Sequence, residues 1–154
     1  MFKHDSLKGR VAVVTGGGGV LCGGFAKDLA RQGVKVAILD LRLEAAQKVA
    51  DEIIAEGFEA IGVACNVLEK ESLENARNEI NEKFGKCDIL INGAGGNHPS
   101  GNTTKEKFEL KDLTEKAEDV KTFFDLDPKG IEFVFNLNFL GTLIPTQVFA
   151  KDMI

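Results

Sequence analysis

The segment VVTGGGGVLCGG, Val13 to Gly24, holds four successive glycines, Gly16, Gly17, Gly18 and Gly19. Glycine loses more backbone freedom on folding than any other residue, so such a run implies a main chain that turns sharply or is approached closely. The chemistry that most needs this is the holding of a phosphate by main-chain N–H groups. Neither phosphate-binding signature is spelled out, however. No register gives G-x-G-x-x-G, and Gly18 and Gly23, although spaced as in a Walker A loop, are followed by Gly24-Phe25 where Lys-Ser/Thr is required. Further along, Asp40, Asn66, the run Asn92-Gly93-Ala94-Gly95, Asn97, His98 and Asn138 carry the remaining polar chemistry.

The elements that must position these residues are legible from periodicity. Arg10 to Thr15, RVAVVT, is a short β-branched run that stops at glycines, which reads as a buried strand. Leu21, Phe25 and Leu29 then recur at helical spacing, and Gly33 reads as the stop. Val34 to Asp40 is a second strand. A helix with Leu43, Ala46, Val49, Ala50, Ile53 and Ile54 on one face follows, ended by Gly57. EAIGVAC is a third strand, Leu73, Ala76, Ile80 and Phe84 mark a third helix ended by Gly85, and Asp88 to Asn92 is a fourth strand. Alternation of this kind predicts right-handed βαβ units: an α/β, Rossmann-like, doubly wound parallel sheet with flanking helices.

Residues 93–127 break the pattern. They are polar, turn-rich and charged, and a loop of that length inside a compact domain is usually a binding loop or lid. After Pro128 comes a stretch apolar on nearly every side up to Ala150, which predicts a helix buried on more than one face. Asn136, Asn138 and Gln147 are expected to keep it from spanning a membrane.

Composition narrows the partners. With a formal charge of −5 and no long basic run, nucleic acid is not an expected partner. Met1-Phe2-Lys3-His4-Asp5 starts no signal-peptide core, and no membrane partner is expected. Cys22, Cys65 and Cys87 are odd in number and form no C-x-x-C, which argues against a disulfide framework or a metal site and for a reducing, cytoplasmic compartment. The chain contains no Tyr and no Trp, but 11 Phe.

Placed between a first strand and the following helix, Gly16 to Gly19 let the main chain approach a pyrophosphate at the helix N-terminus, with Val20 and Leu21 opening that helix. Gly23 and Gly24, one turn on, permit close packing of the helix on the sheet. The same glycines also suit a turn that holds nothing. Asp40 ends the second strand, where a carboxylate accepts hydrogen bonds from an adenosine ribose and repels a 2′-phosphate. NAD is therefore favoured over NADP, although Arg42 weakens the preference.

At these residues the chain resembles the short-chain dehydrogenase/reductase family, whose first-strand motif is T-G-x-x-x-G-x-G. Thr15-Gly16 match it, while Val20 and Cys22 stand where the later glycines belong. Asn92-Gly93-Ala94-Gly95 resembles the family's N-N-A-G with Gly93 replacing the second Asn, Asn66-Val67 resembles its D-V pair, and Asn138 in LNFLGT matches its Asn on the helix after the loop. The likeness implies a cofactor site formed by Thr15, Gly16 to Leu21, Asp40, Asn66, Val67 and Asn92 to Gly95, with Asn138 in the catalytic set. TGGGGVLC with INGAGGNHP is similar to a subgroup that interconverts D-mannonate and D-fructuronate with NAD(H). The implied substrate is thus a small sugar acid, whose carboxylate Asn97 and His98 could bind with help from Lys105 or Lys107. An ordinary solvated loop remains the alternative there. Asn136 reads as a satisfied buried amide.

The family's acid/base is a Tyr followed four residues later by a Lys, with a Ser beside them. A chain without Tyr cannot carry that motif, so residues 1–154 read as the N-terminal part of a single dinucleotide-binding domain: half a sheet, order 3-2-1-4, with 93–127 as an insertion. The catalytic Ser, Tyr and Lys are expected beyond Ile154. The fourth strand and last helix would then leave apolar surface to be covered. Family likeness also implies a homodimer or homotetramer. A non-catalytic NAD(H)-sensing module, a methyltransferase, and a dehydrogenase for another substrate stay open as alternatives.

Overall fold

The computed structural model describes residues 4–115 and 117–154. Met1, Phe2 and Lys3, part of the stretch read as lacking a signal core, and Lys116 of the insertion lie outside the described residues. Four parallel strands, β1 (Val11–Thr15), β2 (Lys35–Asp40), β3 (Ala60–Ala64) and β4 (Ile89–Asn92), form one sheet in the order β3-β2-β1-β4. Helices α1 (Val20–Arg31), α2 (Leu43–Ala55) and α3 (Lys70–Lys83) connect them. The glycines read as helix stops, Gly33, Gly57 and Gly85, all have positive φ, the left-handed conformation that an αL stop requires.

Strand side chains alternate between two cores, as a period of two demands. Ala12, Val14, Val36 and Ile38 face α1 and α2, where Ala26, Ala30, Ala46, Val49, Ala50 and Ile53 are buried. Val11, Val13, Ala37 and Leu39 face α3 and the C-terminal helix, with Leu73, Ala76, Ile80, Val148 and Phe149. One helix presents a different face from the one its apolar spacing implied. Leu21 and Phe25 are exposed, and α1 buries Gly23, Ala26 and Ala30 instead. Small residues let the helix axis come close to its neighbours: a Cβ on Gly23 would lie 3.2 Å from the Gly17 carbonyl oxygen and 3.3 Å from Val49 on α2. Gly24 has open space around it and packs on nothing.

The C-terminal helix departs further from expectation. It runs as α4 (Pro128–Phe135), a wide π-type turn (Asn136–Leu140), α5 (Gly141–Phe149) and a final 3-10 turn (Ala150–Asp152). Over Pro128–Asp152 its best window has mean hydropathy 1.3, so by length and composition it is apolar enough to cross a membrane despite its three amides. Only 22% of that window is buried, against the expectation of burial on several faces. The reason is geometric: Gly141, Pro145, Val148 and Phe149 lie against β4 and α3, while Phe135 and Phe139 on another side stay exposed and Phe133, itself exposed, meets the ring of His98. Asn136 is half-buried rather than buried. β4 is one of the two edge strands, and Ile89, Leu90 and Ile91 stay half-buried there.

Two carboxylates tie distant segments to the sheet. Asp88 accepts the Val11 N–H at 2.9 Å and the Arg10 guanidinium at 2.6 Å, which together hold its carboxyl below the usual range. Asp152, with no exposed side-chain surface, accepts from the Arg77 guanidinium and, at 3.4 Å, from the Cys87 N–H. Burial opposes its ionisation, but those donors outweigh it and the carboxyl is lowered. Removing one partner of a buried ion pair leaves the other uncompensated, so Asp152→Asn should cost about 3 kcal/mol in denaturant unfolding. Both carboxyls are depressed in the folded state, so the native protein binds fewer protons than the unfolded chain around and below pH ~4. Stability is therefore fully present above that value and falls as pH drops through the folded pKa values. Thermal melts from about pH 5 downward should show this loss, with a shallower slope in Asp152→Asn.

Candidate functional site

The loops after β1 and β4 leave adjacent strands and diverge to opposite faces of the sheet, which opens a crevice at the strands' C-terminal ends. Gly16 turns the chain there with φ +62°, and a Cβ on it would come within 2.8 Å of the Gly93 carbonyl oxygen. Gly17 donates its N–H to Leu39 O at 3.0 Å, and Gly19 donates to Gly16 O at 3.1 Å, so the loop is folded back on its own strand ends. Gly19 is the N-cap of α1, and no side chain caps that end. The first-turn N–H groups have no intrahelical partners. Val20 (94% exposed) and Leu21 stand beside them in the open.

Asp40 is fixed at the neighbouring strand end. Its Oδ2 accepts from Gly18 N at 3.1 Å and its Oδ1 from Arg42 N at 3.1 Å. A Cβ on Gly18 would lie 2.8 Å from that carboxylate oxygen, so the loop lies directly on the acid.

Thr15 is fully buried, and its hydroxyl oxygen accepts the N–H groups of Gly93 at 3.1 Å and Ala94 at 3.2 Å. It braces the β4 turn and offers nothing to the open crevice. Asn92 donates through Nδ2 to Thr146 Oγ1 at 3.0 Å, while its buried Oδ1 has no partner. Asn138 spends its side chain on the same loop: Nδ2 donates to Gly96 O at 2.8 Å and Val134 O at 2.7 Å, and Oδ1 accepts from Gly96 N at 3.1 Å. A Cβ on Gly95 would lie 2.6 Å from that Oδ1. Asn138 is therefore a clamp on the loop. Beside it, Asn97, Val134, Phe135, Asn138 and Phe139 line an open cavity of about 480 Å³.

Residues 93–127 are not a bare loop. They contain 3-10 turns at Pro99–Gly101, Leu110–Leu113 and Phe123–Asp125, and Gly101 packs main chain to main chain on Gly130 of α4. His98 packs its ring on Phe133, centroids 5.0 Å apart, and its Nδ1 accepts from Ser100 N at 3.2 Å. Lys105, expected to assist with a substrate carboxylate, is consumed within the loop. Its ammonium donates to both oxygens of Asp112, at 2.8 and 2.7 Å, and to Glu109 at 3.1 Å, which raises its pKa and lowers theirs. Lys107 is exposed.

Asn66 follows β3 beside Asp40, but its amide is used locally, accepting from Leu68 N at 3.1 Å and donating to Glu69 at 2.8 Å. Val67 is buried, and a Cβ on Gly141 would lie 3.1 Å from its methyl group, so it packs beneath the helix and not in the crevice. The structure thus brings together Gly16 to Gly19, Asp40, Gly93 to Gly95 and Asn138, and sets Val67 apart. Sequence reasoning passed over a cleft of about 410 Å³ beside the glycine loop, to which Lys27, Arg42 and Lys48 contribute. Its signal was Arg42 at the start of α2 with Lys27 and Lys48 in the middle of α1 and α2, and Lys27 is ion-paired with Glu52. Among the described residues no cluster of three or more His, Cys, Asp or Glu could hold a metal ion.

The short chain dehydrogenase family model matches residues 10–154. An uncharacterized oxidoreductase of Haemophilus influenzae is 54% identical over 98% of this chain and 52% of its own length. The uncharacterized oxidoreductase UxuB of Bacillus subtilis is 46% identical over 98% of this chain and 52% of its own. A solved Haemophilus structure, provisionally described as a D-mannonate oxidoreductase with bound NAD, superposes with TM-score 0.89 at 53% identity, covering 96% of this chain and 51% of that one. The chain spans about half the length of these relatives.

Thr15→Val keeps the shape of the buried side chain but leaves the Gly93 and Ala94 N–H groups without their acceptor. A loss of about 1–3 kcal/mol is expected in denaturant unfolding, with Thr15→Ser close to the parent protein.

Proposed function

The chain belongs to the short-chain dehydrogenase family, and on that premise we propose that it forms the dinucleotide-binding part of an NAD-dependent oxidoreductase acting on a small sugar acid. The observation that carries the reading is Asp40, held by two main-chain N–H groups next to an uncapped helix N-terminus. The residues present fit the cofactor. Gly16 and Gly18 have no room for a Cβ against the β4 turn and Asp40, which holds the loop main chain close beside the acid, and the open α1 terminus is the expected place for a pyrophosphate.

When bound, the nicotinamide supplies a hydride acceptor for the carbinol carbon of the alcohol substrate. This chain's residues bind and orient. Gly16 to Gly19 would bring the main chain close to the pyrophosphate, the N–H groups of Val20 and Leu21 at the open start of α1 would face it, and Asp40 would accept from the adenosine ribose hydroxyls. Asn66 and Asn92 to Gly95 line the remainder, and Val67 supports it from below. Asn138 acts as a positioning residue by fixing Gly96, and Thr15 by fixing Gly93 and Ala94. With its Nδ1 already accepting from Ser100, His98 has its other ring nitrogen left to donate to a substrate carboxylate, alongside Asn97. None of the 154 residues is a Tyr, so the acid/base group of the proposed reaction is supplied from outside this sequence. The D-mannonate/D-fructuronate pair is the proposed substrate, supported by the description of the Haemophilus relative. The proposed setting is the cytoplasm and the proposed assembly a homo-oligomer, the latter supported by the exposed Phe135 and Phe139.

The test begins with the intact mass of the natural gene product. A mass above 16.6 kDa with D-mannonate-dependent reduction of NAD+ is the expected result, and failure to bind NAD+ overturns the reading. Asp40→Ala should weaken NAD+ binding about ten- to hundredfold by calorimetric titration, the worth of hydrogen bonds to a charged group. The same variant should narrow the preference over NADP+, with Arg42 adjacent to receive a 2′-phosphate.

A further inference from the structure

Two departures from the family pattern, Cys22 in place of its third glycine and Gly93 in place of its second Asn, meet in space. A Cβ built on Gly93 would lie 2.1 Å from Cys22 Sγ and 3.4 Å from Cys22 Cβ. No rotation of the 93 side chain relieves this, because a Cβ is fixed by the main chain. Cys22 is half-buried, and burial pushes its thiol pKa up, so it is an uncharged space-filling group. Its neighbour is the one peptide in the crevice floor held from the other side, by Thr15, whose hydroxyl accepts from Gly93 and Ala94 and whose carbonyl oxygen would lie 2.8 Å from the same Cβ.

We propose that Cys22 is a positioning residue that acts through Gly93: its side chain occupies the volume a residue 93 side chain would take and sets the height of the Gly93–Ala94 peptide over the dinucleotide crevice. The two positions are coupled in size, so a side chain at 93 costs less when residue 22 is small than when it is Cys22. The inference rests on the dinucleotide reading of the crevice. It differs from that reading in predicting a coupling between two residues, not an activity.

A double-mutant cycle tests it, reading both melting temperature and NAD+ affinity in the full-length protein. Gly93→Asn alone overfills the contact, and should lower the melting temperature and weaken NAD+ binding at least tenfold. Adding Cys22→Gly removes the sulfur contact and leaves the Thr15 carbonyl contact, so the double variant should recover part of the lost melting temperature and affinity and be clearly less impaired than the sum of its singles. Cys22→Ala, which only removes the sulfur, should fold and bind NAD+ several-fold more weakly, with Cys22→Ser restoring affinity. The proposal is overturned if the double variant is as impaired as the sum of its singles. It is equally overturned if Cys22→Ala lowers the melting temperature while leaving affinity untouched, since that is plain packing. If the parent protein binds no NAD+, the dinucleotide reading fails instead, and the pair is judged by recovery of melting temperature alone.

Discussion

The β1 loop and the β4 turn approach each other main chain to main chain, and the crevice depends on that approach. Gly16 and Gly93 each lack room for a Cβ, and the Thr15 hydroxyl accepts two N–H groups across the gap. Register makes this contact available: Thr15 lies opposite Leu39 on one side and Asn92 on the other, so β1 and β4 end at one level and β2 runs one residue further, to Asp40. A buried hydroxyl with two donors is then satisfied without water. Displacing either loop would leave polar main chain unpaired, which is why the floor is rigid where the rim is open.

The insertion and the C-terminal helix are organised around the same floor. The wide turn at Asn136–Leu140 accompanies a local change in the helix ladder, and the Val134 carbonyl accepts from the Asn138 side chain. With its remaining donor and its oxygen, that amide reaches Gly96, so one side chain joins the helix to the strand-end loop. Residues 93–127 brace themselves with Lys105, Asp112 and Glu109, while Asn97 lines the cavity and His98 packs on Phe133. A long loop is compatible with a defined site when its polar groups are closed on one another.

The strands and helices were legible because parallel strands buried on both faces read as unbroken apolar runs, and because glycines at 33, 57 and 85 punctuate the helices, whereas the strand order came with the family resemblance. The placement of Asp40 and the glycine loop at neighbouring strand ends was legible because the apolar strand runs stop at those residues. What periodicity could not supply was the identity of the packed face. Leu21 and Phe25 carry the helical spacing, yet Gly23, Ala26 and Ala30 pack, since close approach favours small residues over apolar ones. Likewise an apolar helix was read as a buried one, but how much of it is covered depends on which elements stand beside it. The roles of Thr15 and Asn138 as braces were invisible for a related reason. A motif gives the residue type, whereas the partner of a hydroxyl or amide is set by tertiary contact.

Asp40 shows why bracing and binding need not compete. A carboxylate has roughly four acceptor positions, and Gly18 and Arg42 use two of them, one on each oxygen. The remaining pair is available to ribose hydroxyls without release of either main-chain donor, so binding need not cost the loop its anchor. The same anchoring denies the carboxylate the freedom to swing away from a 2′-phosphate. In the proposed site, the preference for NAD is thus a property of the main chain that fixes the acid as much as of the acid itself, and a nearby arginine is not enough to reverse it while both N–H groups hold.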